Sequence, residues 1–229
     1  MSEEDGDEAE PTDRNKLTVD NRPEIEVQAI ETLCELYKKF PQTEINGSNN
    51  IWIVKPAGLS RGRGIKIYSS WAEINRNIKN HDCTWVVQKY IENPALIAER
   101  KFDIRQWIMV TDWSPLTIWF YEECYIRHSA SDFNLHDLKN RFAHLTNNSI
   151  NKLNDNDCGP DDLFWEHKQL SDHMYEHFGY DYMEEVMKPK MKEMTKYSLM
   201  ACQEHIENRK NSSEIYGYDF CIDSNWNVW

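Results

Sequence analysis

Residues Ile51–Tyr68 read IWIVKPAGLSRGRGIKIY, and the interpretation of the whole chain turns on them. Ile51–Val54 is an apolar run too short for a helix, so it reads as a strand. Lys55 and Pro56 end it, and Ile65–Tyr68 returns as a second β-prone run. Between the two, Gly58, Gly62 and Gly64 free the backbone to approach a ligand, while Arg61 and Arg63 bring charged forks to the same loop. A strand, loop, strand unit of this kind suits a polyphosphate, and hence a nucleotide. It is not a Walker A loop, because no G-x-x-x-x-G-K-[ST] is present and a strand rather than a helix follows. The competing interpretation of the loop alone is a hairpin tip with solvated charges.

Upstream, the first twenty residues form an acidic, apolar-poor leader (Glu3, Glu4, Asp5, Asp7, Glu8, Glu10, Asp13) expected to be disordered. Pro23 then opens a helix through Phe40, with Ile30, Leu33, Tyr37 and Phe40 on one apolar stripe. Downstream, Ser70 and Glu73 have capping-box spacing and predict a helix over Trp71–Ile78, followed by a strand over Thr84–Tyr90. From Arg100 the texture becomes β-rich. Lys101–Thr111 reads as a strand and Trp113–Leu116 as a turn, and Leu116–Tyr121 is expected to pair with Cys124–His128 across Glu122 and Glu123. Phe142–Thr146 is a further short run that breaks at Asn147, and Asn154–Asp162 is a polar loop. Helices are predicted over Asp162–Phe178 and Asp181–Asn208, the second kinked or restarted at Pro189. Tyr216–Asp223 is a strand, Asp223–Asn225 a turn, and Trp226–Trp229 the start of a partner strand.

The chain has 229 residues, 40% of them hydrophobic, which is enough to bury a substantial core. Its net charge of −13 argues against a general nucleic-acid binder. Six scattered cysteines without a C-x-x-C pair fit reduced thiols better than a zinc site or a disulfide framework. No apolar run is long enough to span a bilayer, so no membrane insertion is expected. A soluble protein of the cell interior is the default. The element order, βαβ and then an antiparallel sheet with helices, predicts an α+β fold of two lobes with a nucleotide between them, residues 21–93 and 94–229.

Two further segments carry chemistry on β scaffolds. Gln88, Lys89, Tyr90 and Ile91 end a strand, where backbone groups and an amide can read an adenine edge. In KFDIR, Lys101, Asp103 and Arg105 alternate with Phe102 and Ile104, so the charged residues share one strand face and the apolar ones enter the core. His128 and His144 sit among aromatics and read as hydrogen-bonded core histidines. His167, His173 and His177 fall on one predicted helix with a single i, i+4 pair, which reads as a solvated face rather than a metal site.

The motifs K-P-x-x-x-S-R-G-R-G-I, V-Q-K-Y-I-E-N-P, K-F-D-I-R-Q-W, H-L-T-N-N-S-I-N-K and Y-G-Y-D-F, in this order, resemble the tubulin tyrosine ligase-like family of ATP-grasp ligases. The SRGRG loop, the R-Q-W-x-x-V-T-D-W-x-P-L-T-x-W-F-Y segment and the C-G-P-D-D-L-F-W insert look most like the branch that adds glycine to tubulin. The resemblance implies that Lys55, Arg61 and Gly62 hold ATP phosphates, that Gln88, Lys89, Tyr90 and Ile91 contact adenine, and that Lys101, Phe102, Asp103, Thr146 and Asn147 are further nucleotide contacts. It implies that Arg127 engages the incoming amino acid, that Lys101 and Arg105 offset developing negative charge, and that Asp219 is a magnesium ligand. The implied reaction is ATP-dependent glycylation of glutamate side chains in tubulin tails, through an acyl phosphate that the glycine amine displaces. Tubulin or microtubules and glycine are the implied partners, and the cytoskeleton of the cytoplasm, including the axoneme of cilia or flagella, the implied location.

The family pattern continues past Y-D-F as L-I-E-x-N, whose Glu and Asn complete the magnesium site, whereas this sequence ends at Val228 and Trp229. On that comparison the fold stops before its last core strand, and weakened ATP binding and lost ligation are expected of these residues alone. The rivals are a glutamate ligase of the same family and a non-catalytic tubulin-binding module. A protein kinase lacks its expected H-R-D and D-F-G elements.

Overall fold

A computed structural model describes residues 23–81, 83–154 and 159–229, so the acidic leader and Cys158 lie outside the described residues. Contacts divide the chain between Glu44 and Ile45 into two units. In the first, helix α1 spans Glu24–Lys39, where Glu24 and Glu26 lie near the positive end of the helix dipole and Lys38 and Lys39 near its negative end. The predicted stripe forms, but Leu33, Tyr37 and Phe40 are exposed and no residue of α1 is buried.

The second unit begins with three strands, β1 (Trp52–Pro56), β2 (Lys66–Tyr68) and β3 (Trp85–Lys89), linked through helix α2 (Trp71–Lys79). Their order is β2-β1-β3, with both outer strands antiparallel to β1. The loop quoted at the outset thus joins β1 to its neighbour. Helix α2 starts where predicted, but the Ser70 side chain makes no cap hydrogen bond, so the expected capping box does not form. Ile51, Ile67 and Tyr90 form a small core, with Phe133, Leu135 and Leu138 packed against it.

The larger sheet contains β4 (Leu96–Ile97), β5 (Arg100–Trp113), β6 (Leu116–His128), β7 (Phe164–Glu166) and β8 (Glu214–Cys221). Its path is β4-β5-β6-β7, and β8 also pairs with β5. Short helices α3 (Arg141–His144), α4 (Asn148–Asn151) and α5 (Pro160–Leu163) precede β7; α6 (His167–Phe178), a π-helical turn over Met183–Met187 and α7 (Lys188–Gln203) follow it. Phe102 and Ile104 enter the core as their alternation predicts, meeting Ile126, Phe220 and a methionine-rich helical surface of Met174, Met183, Met187 and Met191. Methionine's flexible, polarisable side chain fills such irregular contacts between sheet and helices.

Three expectations are corrected. Leu116–Tyr121 does not pair with Cys124–His128: β6 is one continuous strand hydrogen-bonded to β5, and the chain reverses before it, at Ser114 and Pro115. Glu122 stays in the strand with its side chain exposed, and the buried Lys188 ammonium meets its carboxylate at 2.7 Å. The predicted helix over Asp162–Phe178 is interrupted by β7, which satisfies the edge of β6 while Trp165 packs on His128 at 4.9 Å between ring centroids. The three histidines of α6 are not simply solvated. His167 bonds Glu184 at 3.0 Å, His173 lies between Trp165 and Trp226, and only His177 is exposed, against Trp226.

Pro189 falls in the first turn of α7, where its missing N–H costs nothing, and so marks a restart. Trp226–Trp229 does return along β8: Cys221 and Trp229 exchange two backbone hydrogen bonds of 2.8 Å. Asp223 organises the turn by accepting from the Asn225 and Asn227 amides and from the Trp229 indole. The five described cysteines are unpaired, and among the described residues no helix is long and apolar enough to cross a membrane.

Candidate active site

The register of the larger sheet creates the site. Asp103 stands opposite Arg127 on β6 and Cys221 on β8, while Arg105 stands opposite Asp219. Because Ile104, Ile126 and Phe220 point to the helices, the residues flanking them in sequence share the opposite face. Four charged side chains from three strands therefore meet. Arg127 donates to both oxygens of Asp103 at 2.8 Å and to Asp219 at 2.7 Å. Arg105 grips Asp219 at 2.5 and 3.1 Å. The Thr146 hydroxyl donates to Asp103 at 2.6 Å. Burial alone would lower the pKa of the Arg127 guanidinium, but the Asp103 and Asp219 carboxylates outweigh it and hold the group firmly charged.

Gly217, on β8, permits this geometry. A Cβ there would collide with the Arg105 guanidinium, which lies across the glycine on its way to Asp219. Gly217→Val should push Arg105 off Asp219 while leaving a residue that strands accept, and catalytic turnover of the whole protein should fall by about tenfold or more. Steady-state kinetics together with thermal unfolding separates that loss from misfolding.

The cationic wall joins Lys55 on β1 of the small sheet to Lys101 on β5 of the larger one. The Lys55 ammonium donates to Gln88 at 2.8 Å. Its pKa is lowered by burial first, with the positive charge of Lys101 adding to the effect and the charges of Cys221 and Asp219 opposing it. Lys101 is only 8% exposed and its side chain makes no hydrogen bond or ion pair among the described residues. The positive charges of Lys55 and Lys101 oppose one another, and an anion between them offsets that repulsion.

The glycine loop closes over this wall. Arg61 adopts φ +61° and accepts a 2.7 Å hydrogen bond from Ser149 of α4 through its carbonyl. Gly62 is buried at φ +74°, and a Cβ there would lie 2.6 Å from the Asn147 amide oxygen and 2.9 Å from Ile150. Asn147 is thereby brought to the loop. Gly58 has open space around it and contributes no close approach.

Other predicted residues fall in different surroundings. Phe102 is wholly in the core, so only its backbone faces the site. The Tyr90 hydroxyl is buried against His144 Nδ1 at 3.0 Å, and burial drives its pKa upward. His144 bonds the Asp137 carbonyl through Nε2, as expected of a core histidine. His128 is buried too, but its Nε2 has no partner among the described residues, and burial pushes its pKa down to about 4. The Lys89 ammonium is committed to Glu92 at 2.6 Å and to the Ile51 carbonyl at 2.9 Å. Half-buried Ile91 and exposed Gln88 remain beside it at the end of β3.

Glu92 is not among the site residues that the sequence suggests. It is 1% exposed and accepts from the Asn49 amide, the Asn49 side chain, the Ile51 amide and Lys89. It anchors the start of β1 to the end of β3 and so fixes both strands that carry Lys55 and Gln88. Its only sequence signal was an acid placed three residues after a lysine.

Asp219 alone does not fit a magnesium site. Both of its oxygens are on arginines, and among the described residues no group of three or more His, Cys, Asp or Glu side chains is placed to hold a metal.

A charged cluster on the larger sheet, one lysine from each sheet and the glycine loop between β1 and β2 together have the chemistry that suits an anionic ligand. Residues 14–229 match the Tubulin-tyrosine ligase family, and the chain belongs to that family. Its α+β fold is the ATP-grasp-like architecture of these ligases. The chain is 46% identical over 206 residues to tubulin glycylase 3C of Tetrahymena thermophila, covering 87% of this chain and 19% of that protein. It is 39% identical over 217 residues to human tubulin monoglycylase TTLL3, covering 90% of this chain and 28% of the relative. For human protein monoglycylase TTLL8 the identity is 42% over 199 residues, covering 82% and 23%. The chain thus spans less than a third of the length of these relatives.

Proposed function

We propose that these residues are the nucleotide-binding and amino-acid-binding part of an ATP-dependent ligase that joins glycine to glutamate side chains of tubulin tails. The observation that carries the reading is the Lys101 side chain, which makes no hydrogen bond or ion pair among the described residues and acts on Lys55 as a like charge. Phosphates between them would neutralise both cations, with the Arg61–Gly62 backbone closing over and Gln88–Ile91 at the adenine end. The lobe boundary at residues 93 and 94 belongs to the same reading, the three-stranded sheet forming one wall of the cleft and the larger sheet the other.

Bound ATP supplies phosphoryl activation of the acceptor carboxylate, giving an acyl phosphate from which the glycine amine displaces phosphate. The chain's own groups position and neutralise. Lys101 and Arg105 offset negative charge as it develops, and Arg127, fixed by Asp103, presents its remaining surface to the amino-acid carboxylate. No step is assigned to Asp219 as a metal ligand.

Glycine is favoured over glutamate by the relatives and by one local feature. Phe164 pairs with Arg127 across β6 and β7 and stacks on Tyr125 at 5.1 Å, so an amino acid held by Arg127 meets an aromatic wall that suits one without a side chain. The cytoskeleton, with the ciliary or flagellar axoneme, is the setting that this function implies. Offering the full-length protein ATP, tubulin and an equal mixture of labelled glycine and labelled glutamate tests the reading by mass spectrometry. Glycyl adducts are expected, and glutamyl adducts alone would replace the assignment with that of a glutamate ligase.

The cationic wall makes its own prediction. Lys101→Met should leave the stability of the fold about unchanged, because the Lys101 side chain makes no hydrogen bond or ion pair among the described residues. Nucleotide affinity should fall by about tenfold or more, the loss of a charge-assisted contact. Thermal unfolding and a nucleotide titration on one preparation read both effects.

A further inference from the structure

Outside the cleft, a groove of about 270 Å³ runs beside β2, with Lys66, Ile67 and Tyr68 on one side and Leu138, Lys139 and Arg141 on the other. Successive residues of a strand point to opposite faces, so a groove that touches consecutive residues of β2 lies along the strand's edge. Among the described residues that edge is free in the sheet, since β2 pairs with β1 alone in the order β2-β1-β3. An open edge offers unpaired amides and carbonyls to an added strand.

The charge of the groove is of one sign. Lys139 and Arg141 are exposed, and their side chains make no hydrogen bond or ion pair among the described residues. Lys66 donates at 2.8 Å to the Asn77 amide oxygen, a neutral partner that leaves its charge uncompensated. No acidic residue lines the groove, although the chain as a whole carries −13. Ile67, Tyr68 and Leu138 supply the apolar floor. Three cations over such a floor beside an open edge complement an extended acidic peptide with apolar residues among its carboxylates. The groove also adjoins the candidate site: its lining includes Ile65, next to Gly64 of the glycine loop, and Leu145, next to Thr146.

We propose that this groove is the docking site of the acceptor, binding an acidic, extended segment as an added strand on β2 and leading its target glutamate into the cleft. The acidic character follows from the groove, whereas the identification of the bound segment with the acceptor rests on the function proposed above.

The test is fluorescence anisotropy of a labelled, glutamate-rich tubulin-tail peptide with the full-length protein, wild type against the double variant Lys139→Glu and Arg141→Glu. Both residues are exposed, and thermal unfolding confirms that the variant is folded. Charge reversal should weaken the peptide by about tenfold or more, Lys139→Gln with Arg141→Gln less so, and added salt should narrow the difference. Nucleotide affinity should stay as in the wild type. Unchanged peptide affinity in the charge-reversed protein overturns the proposal, as does displacement of the peptide by inorganic triphosphate alone, which would make the groove part of the nucleotide site. Groove-dependent peptide binding without glycyl transfer would remove the proposed activity and leave the groove standing as a docking site.

Discussion

Arg127→Ala is expected to abolish ligation and to destabilise the chain at the same time. The guanidinium holds Asp103, which is only 7% exposed, through two hydrogen bonds of 2.8 Å, and also reaches Asp219. Without it, a buried carboxylate keeps only the Thr146 hydroxyl as a partner, and breaking a buried pair on one side costs about 3–5 kcal/mol. Asp219 would retain Arg105 and is half-exposed, so its contribution to the loss is small. Arg127→Lys keeps the charge but not the two-pronged geometry, and should recover part of the stability while turnover stays low. Denaturant unfolding and amino-acid KM, measured on both variants, separate the structural part from the binding part. Full stability in Arg127→Ala would mean that the Asp103 pair is not the anchor described here.

The second large effect is expected at Glu92. Glu92→Ala removes the acceptor of four hydrogen bonds and strands the Lys89 ammonium, so a loss of about 3–5 kcal/mol is predicted, together with weaker nucleotide binding because Lys55 and Gln88 ride on the strands that Glu92 ties. The pH dependence has a definite sign. Burial raises the pKa of this carboxyl, but the hydrogen bonds from Lys89, Ile51 and Asn49 outweigh it and leave the group below its ordinary 4.5. A carboxyl depressed in the folded state stabilises above its unfolded pKa and loses that contribution as pH falls through the folded value. The stability gap between wild type and Glu92→Ala should therefore be full near neutrality and close in acid below 4.5. A gap that persists unchanged into acid would assign the loss to packing alone.

What the sequence made legible was local. The alternation in KFDIR placed Phe102 and Ile104 in the core and the charged residues on the other face, because the strand period is fixed by the backbone. The glycine loop announced itself through residue types that few other backbones need. Position across the sheet was not legible: Asp103 meets Arg127 across 24 residues and Arg105 meets Asp219 across 114, and nothing local encodes either register. Glu122 and Glu123 looked like a turn because charges interrupt an apolar run. Both carboxylates are exposed to solvent, and the strand continues there because β6 pairs with β5 on either side of them. β7 was hidden because Phe164–Glu166 lies directly ahead of a helical pattern, and only the open edge of β6 makes it a strand. Glu92 was invisible for a related reason, since Ile51 and Asn49 precede it by 41 and 43 residues.

The proposed nucleotide binding rests above all on an anion site between Lys55 and Lys101, and calorimetric titration of ATP into the full-length protein tests it most directly. Saturable binding to the wild type is predicted, weakened by about tenfold or more in Lys101→Met and again in the double variant with Lys55→Met. Equal ATP affinity in all three proteins, with the fold intact, would contradict a phosphate site between the two lysines.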